Sequence, residues 1–553
     1  MNIERRDPAR RRRPWVEGGC VSGLILVVTL VSSCRKTTPS DVNGAQKKKE
    51  DCDTILRSAL DMADPTKLGV TTGIDSVANR LNDWRRDCPN DGPPRNALGP
   101  DGRRLLQKLL PKAELEKRDD ALFQTRDVRH LRNSLVFARI VNNIPHGQDL
   151  DQAVDLFYFV VRSMALVEDK ADGLPIPVFR ALLFGRGTAR DRAWLFAALL
   201  RQLKIAAVVL SPQGGTGKVG ETKPKPFLVG VLLDEKGELK VYLFDTRLGL
   251  PVPAPVDDFS EALPRKPATL KQFVEDPSIA ASLSTEDFRY ALRGEDLRRP
   301  RVGLVGHRSL FSPQMRRLFY TVGGAYKTVP YVELDGDEGL TAAVAEFGKG
   351  RWTRRDIEIW PYPEQTFQRF EAMSQERRSE LTELERPFQV PIEFTVKQGK
   401  PIPGRWLNLL HKSRVMHFMG EYSKALMRYQ SVRVRYPSPG EMSSLPVSTL
   451  SIVQAGNEDA SFWGAVCQYE RGNIVEAVKS FDIYLQSGRR WAAHARYLLA
   501  VCRASQKKYS TAKTLLLPKF HKGHPQNHGA ALLRKRFGVL QARLDARKPS
   551  RKP

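Results

Sequence analysis

The stretch from Phe184 to Pro253 constrains the fold more than any other part of the chain, because two hydrophobic periods meet inside it. Gly185-Arg186-Gly187-Thr188-Ala189-Arg190-Asp191-Arg192-Ala193 opens a helix whose apolar positions Ala193, Phe196, Ala197, Leu199 and Leu200 recur at helical spacing. The helix ends and a strand starts within Leu203-Lys204-Ile205-Ala206-Ala207-Val208-Val209. Phe227 to Leu233 and Leu239 to Phe244 read as two further strands joined at Asp234-Glu235-Lys236-Gly237, a hairpin-like turn. A helix feeding short strands places the chain in the α+β class.

This order resembles the core of the transglutaminase-like superfamily, a branch of the papain-like thiol enzymes. There a Gly-x-Cys at a helix N-terminus precedes an A-L-L-R-x-L-G-I-P-A segment, then a His on one strand and an Asp on the next. The resemblance implies a papain-like, transglutaminase-type core. Its chemistry needs a thiolate, an imidazole and a carboxylate that orients the imidazole. Here the nucleophile position is Ala189, and no Cys lies between Cys88 and Cys467. The strand Pro226-Phe227-Leu228-Val229-Gly230-Val231 carries no base, and no His lies between His146 and His307. Asp245, in Phe244-Asp245-Thr246-Arg247, is the one member that matches. The chain therefore reads as a pseudoenzyme with no catalytic residue and no cofactor. Thr188 lacks a nearby His or Lys to take its proton, so it reads as a helix N-cap. Asp245 reads as a strand-end carboxylate that pairs with Arg247 or caps a turn.

The N-terminus reads as an export signal. Arg5, Arg6 and Arg10 to Arg13 precede an uncharged run from Val21 to Val31. Eleven residues are too few to span a bilayer, which needs about 20. A basic segment, a short apolar run and small residues describe a secretory signal. Val31-Ser32-Ser33-Cys34 resembles a bacterial lipobox, which implies a lipid-modified Cys34 at the mature N-terminus and a protein anchored in the cell envelope. Cys52 and Cys88 lie in one N-terminal segment and could pair in an oxidising envelope, a matter spacing leaves open.

The C-terminal third carries a repeat. Ala465-Val466-Cys467 recurs as Ala500-Val501-Cys502, and Ala477 with Phe481 is matched by Ala512 with Leu516. An earlier half-copy stands at Gly420-Glu421-Tyr422-Ser423-Lys424-Ala425. The spacing resembles tetratricopeptide repeats (TPR), which implies an all-α solenoid that binds proteins. Cys467 and Cys502 then read as core thiols, and residues 403–545 as an array able to fold alone. Pro437 to Gly456 reads as an irregular insertion.

Composition limits the partners. The chain has 553 residues, more than one core holds, and 89 Lys+Arg against 62 Asp+Glu give a charge of +27. Such a surface favours anions, and export makes membrane and wall polymers nearer candidates than nucleic acid. Gln213-Gly214-Gly215-Thr216-Gly217-Lys218 lacks the Walker spacing and joins two strands, so it is a connection and not a phosphate loop. His521, His524 and His528 are interrupted by Gly523 and Pro525, which reads as a solvated loop and no metal site.

The domain reading is a signal peptide over 1–33, a tether over 34–50 and a helical segment over 51–118. A transglutaminase-like domain follows over 119–260. Residues 261–400 hold a small α/β unit, with strands at Val302 to Val305, Val329 to Leu334 and Ile357 to Trp360, and connecting helices. TPR-like repeats cover 401–545 and a basic tail 546–553. The implied function is a membrane-anchored envelope scaffold that binds envelope proteins of unknown identity. Two alternatives are an enzyme with a displaced nucleophile and a basic module for wall polymers or lipid.

Overall fold

The computed structural model describes residues 39–547, apart from 68–72, 89–97, 119–120, 214–225, 256–258, 323–326, 390–393, 398–399, 404–408, 435–439, 441–442, 444–446 and 521–522. The fold is α+β. Among the described residues no helix is long and apolar enough to cross a membrane. The segment expected to be an export signal and Cys34 lie outside the described residues, as does most of the glycine-rich connection after Gln213.

The N-terminal half begins with α1 (Pro39–Met62), α2 (Ile74–Asp87), α3 (Pro100–Leu106) and α4 (Lys112–Glu116). The tether expected over 34–50 is helical from Pro39, since proline is tolerated in a first turn. Then come α5 (Thr125–Asn142) and α6 (Asp149–Ser163). Two-residue strands β1 (Ala165–Leu166) and β2 (Arg186–Gly187) pair in parallel around α7 (Val178–Phe184). Next is α8 (Ala189–Gln202), the helix read from the 3.6-residue period.

The main sheet contains β3 (Ala206–Ser211), β4 (Leu228–Glu235), β5 (Glu238–Asp245), β6 (Leu250–Pro251), β7 (Arg301–Leu304) and β8 (Ile357–Ile359). Its order is β6-β5-β4-β3-β7-β8, antiparallel throughout except for the parallel pair β7–β8. The sheet thus runs across the boundary expected at 260/261. Strands β7 and β8 extend the sheet that holds β3 to β5, and no separate α/β unit forms. Residues 329–334 form no strand. Pro330 has no N–H to give a ladder, Val329 N–H goes to Gln202 Oε1 (2.9 Å), and Pro330 O accepts from His130 (2.8 Å). The β4–β5 hairpin turns at Lys236 (φ 59°) and Gly237 (φ 88°), the paired left-handed residues that match strand twist.

Strand β4 is buried over its first six residues, so it reads as one apolar run without alternation. Helix α8 lies on the sheet with α6. Phe157, Phe196 and Phe244, one each from α6, α8 and β5, meet with ring centroids 5.1–5.3 Å apart.

Helices α9 (Leu270–Glu275), α10 (Pro277–Ser282), α11 (Pro313–Val322), α12 (Leu340–Glu346), α13 (Tyr362–Glu371) and α14 (Gln375–Gln389) surround this layer. A hairpin of β9 (Phe394–Lys397) and β10 (Lys400–Pro403) precedes the C-terminal array. The array comprises α15 (Leu409–Phe418), α16 (Tyr422–Val434), α17 (Val447–Glu470), α18 (Ile474–Ser487), α19 (Ala492–Ser505), α20 (Tyr509–Leu515) and α21 (Asn527–Ala546), each packed on the next. The irregular insertion expected up to Gly456 is helical from Val447, because no proline follows Pro446 to stop it. Helix α21 runs one residue into the basic tail expected from 546.

The array shares one hydrophobic core with the sheet. Arg414 of α15 is fully buried, stands 3.5 Å over the Trp463 ring and donates to Leu182 O (2.9 Å). Gly185 ends α7 at φ 69°, and a Cβ there would lie 1.9 Å from Trp463. Only glycine satisfies both the backbone turn and the indole above it.

Candidate functional site

Thr188 caps α8. Its N–H donates to Asp191 Oδ2 (2.8 Å), and the N–H of Asp191 donates back to Thr188 Oγ1 (3.2 Å), a reciprocal capping box. Tyr362 OH holds the other Asp191 oxygen at 2.8 Å, and burial keeps this carboxyl above its usual range. The hydroxyl is therefore committed to the helix end.

Ala189 follows in the first turn, buried, and its carbonyl accepts from Thr246 Oγ1 (2.8 Å). The helix N-terminus and the end of β5 thus adjoin, and β4 lies beside β5 with Val229 opposite Phe244. The three positions singled out from sequence share one neighbourhood. Asp245 caps the turn that follows it: Oδ1 accepts from the N–H groups of Arg247 (2.8 Å) and Leu248 (2.9 Å). Its Oδ2 accepts from Tyr290 OH (2.8 Å).

This ground is closed by the start of α21, which sequence reasoning missed. Arg192, fully buried on α8, donates to Met164 O (2.7 Å), Thr246 O (3.2 Å) and Gln526 Oε1 (3.1 Å). Burial pushes its pKa down to about 10. A Cβ on Gly529 would lie 2.0 Å from Leu248 O, so α21 rests directly on the Asp245 turn. His528, read as part of a solvated loop, is half-buried in the first turn of α21. It is bonded to Leu283 O (2.7 Å) and stacked on Phe288 at 5.1 Å. His524 Nδ1 accepts from the N–H of Gln526 (3.2 Å), and His521 lies outside the described residues. Among the described residues no group of three or more His, Cys, Asp or Glu side chains could hold a metal ion.

A second polar cluster comes from stretches no motif marked. His130 of α5 and His307, just after β7, form a buried pair in which His307 Nε2–H donates to His130 Nδ1 (3.1 Å). Burial pushes His130 down to about 4 and holds His307 well below its usual range, so both rings are neutral. Beside them Glu364 accepts from Arg126 (2.7 Å) and Arg308 (2.7 Å). Arg308 also reaches Glu114 (2.5 Å). Asp127 accepts from the N–H of Gln124 (2.9 Å), and burial holds its carboxyl above the usual range. The cluster borders a cleft of ≈ 620 Å³ between α4 and the start of α11. Ser309 Oγ is buried in the same cluster and makes no hydrogen bond to either imidazole.

Cys52 and Cys88 form a disulfide joining α1 to the residue after α2, with Cα atoms 5.6 Å apart. Ala465, Ala477, Phe481, Ala500, Ala512 and Leu516 are all buried in the array. Cys467 and Cys502 are buried free thiols, and burial raises the pKa of both, Cys502 to about 12. Comparison with family models, with curated proteins and with solved structures finds no match to this chain.

Proposed function

We propose that the chain is a non-catalytic scaffold of the cell envelope, anchored through Cys34. Its body is a transglutaminase-like core without catalytic groups, and its TPR-like helices carry the protein-binding role. The observation that carries this reading is the seating of Gln526 to Gly529 on the ground before Ala189 and Asp245. A methyl group stands at the position of the family's nucleophile, Asp245 spends its oxygens on a turn and a tyrosine, and the start of α21 rests on the turn after Asp245. The excess of Lys and Arg suits residence beside anionic lipid.

The test is amine incorporation and peptide hydrolysis by the purified mature chain, with Asp245→Ala as control. No turnover in either protein is expected. Turnover that depends on Asp245 would overturn the reading. Radiolabelled palmitate is expected to enter the wild type and not Cys34→Ala, and co-purification from detergent-solubilised envelopes is expected to recover a protein partner.

A further inference from the structure

The end of the array is basic. No Asp or Glu occurs between Asp482 and Asp545, a stretch that holds 13 Lys and Arg residues. Some of these serve the fold: Arg490 pairs with Asp459 (2.9 Å), Arg503 pairs with Asp482 (2.6 Å), and Arg536 and Arg543 lie over Phe259. Arg496, Lys507, Lys508, Lys513 and Lys519 belong to another face, formed by α20 and the segments before and after it. Lys513 Nζ lies 3.7 Å from the place of a Cβ on Gly538, and the N–H of Ser510 donates to Gln541 Oε1 (3.2 Å), so α20 packs on the Gly538 and Gln541 side of α21. Residues two apart stand about 200° round a helix, which puts Arg536 and Arg543 on the opposite side. Arg496 and Lys519 converge on the Phe520 ring, 4.8 and 5.0 Å from its centroid. The four lysines are exposed, and among the described residues none of the five cations has a carboxylate partner. Among the described residues between Ile483 and Val539 no large apolar side chain is exposed. Lys507 takes φ 59° in the turn before α20, where Gly472 takes φ 84° at the matching position of the preceding repeat. A Cβ is disfavoured there, so the turn itself would prefer glycine.

We infer that this face lies on an anionic lipid bilayer, with its lysines among the headgroups. The charge is complementary to any negative surface, and the side chains choose among such surfaces. Four of the five cations are Lys, a hydrated point charge that suits the diffuse potential of a membrane, whereas planar recognition of nucleic acid favours Arg. Among the described residues no exposed aromatic ring stands between them to stack a base. The choice of a bilayer rests on the anchored reading above, which holds the chain beside one.

Co-sedimentation of the unacylated mature polypeptide with vesicles tests it without help from Cys34. At low ionic strength, vesicles of phosphatidylcholine with about 30% phosphatidylglycerol are expected to bind at least about 100-fold more tightly than phosphatidylcholine alone, since each Lys or Arg near such a surface contributes about fivefold. Lys508→Gln/Lys513→Gln/Lys519→Gln is expected to lose about 100-fold, whereas Lys112→Gln/Lys236→Gln/Lys271→Gln, with the same net charge, stays within about threefold of the wild type. Lys507→Gly relieves the turn and is expected to bind about fivefold more weakly with an equal or higher melting temperature, a combination that misfolding does not produce. Equal binding to both kinds of vesicle, or equal losses in the two triple variants, would overturn the inference. Binding to a short DNA duplex without binding to anionic vesicles would also overturn it, assigning the face to nucleic acid. Palmitate labelling reports on Cys34 separately, so failure of the anchor and failure of this face are distinguishable.

Discussion

Arg192 is a fully buried cation whose hydrogen-bond partners are two carbonyls and one amide oxygen. Replacing it with Met orphans those acceptors, each at a cost of about 1–3 kcal/mol. Arg192→Met is therefore expected to lose more than ~3 kcal/mol of stability. A double-mutant cycle with Gln526→Ala is expected to give a coupling of about 1–3 kcal/mol in denaturant melts. Additive losses would show that Gln526 does not rest on Arg192.

The histidine pair supplies a pH dependence. Unfolded, His130 and His307 bind protons below about pH 6.5. Folded, His130 resists until about 4, and burial likewise holds His307 well below its usual range. The unfolded state then binds more protons between these limits, so stability falls as pH drops from 6.5 toward 4, by about 3 kcal/mol for His130 alone. Asp127, Asp191 and Asp459, whose pKa values burial raises, act in the opposite sense. The readout is therefore the difference between wild type and His130→Gln/His307→Gln, whose stability is expected to fall less over that range. Thr188 and Asp245 were readable as caps because a cap is local: donor and acceptor lie within three residues. Gln526 was not, because a lone glutamine after a proline carries no pattern and its partner is 334 residues away.

At the scale of elements, periodicity marks which segments are strands but not which strands are neighbours. Strands β3, β4 and β5 were legible because a tight turn ties β4 to β5 and the runs follow in order. The pairing of Val208 with Leu304 has no local signal, so β7 and β8 were read as a separate unit. Residues 329–334 show the converse, an apolar run whose backbone bonds go to side chains.

Helices α1 and α2 form a second, smaller core, with Leu60, Leu81 and Trp84 meeting Leu131 of α5 and Leu318 of α11. The Cys52–Cys88 bridge closes a loop of sequence separation 36, which is worth about 3–4 kcal/mol in the chain-entropy account. Dithiothreitol, or Cys52→Ser with Cys88→Ser, is expected to make α1–α2 sensitive to limited proteolysis and leave the sheet intact. Unchanged cleavage would mean that the small core alone holds the pair.

For the whole molecule, the array is a clasp and not an appendage. Arg414 and Trp463 close on Leu182 and Gly185, Arg186 stands 4.4 Å over Trp491, and His494 meets Arg162 O at 3.0 Å. Residues 403–545 alone would expose this face, so the array read from sequence as self-sufficient is expected to aggregate or melt without cooperativity. Adding the fragment 39–402 in trans is expected to restore a soluble complex with a sharp thermal transition. A stable, monomeric 403–545 would show that the shared core is dispensable.

The bond between Arg192 and Gln526 also sets a clock on the nascent chain. At about 5–20 residues per second, more than 300 residues take roughly 15–60 s to emerge after α8. During that interval the guanidinium has one acceptor too few, and the Leu248 turn has no helix above it. A chain cut short before α21 would keep that vacancy for good. Arrival of α21 thus distinguishes a chain whose Leu248 turn is covered from one cut short before it, and a protease that samples open turns would read the difference.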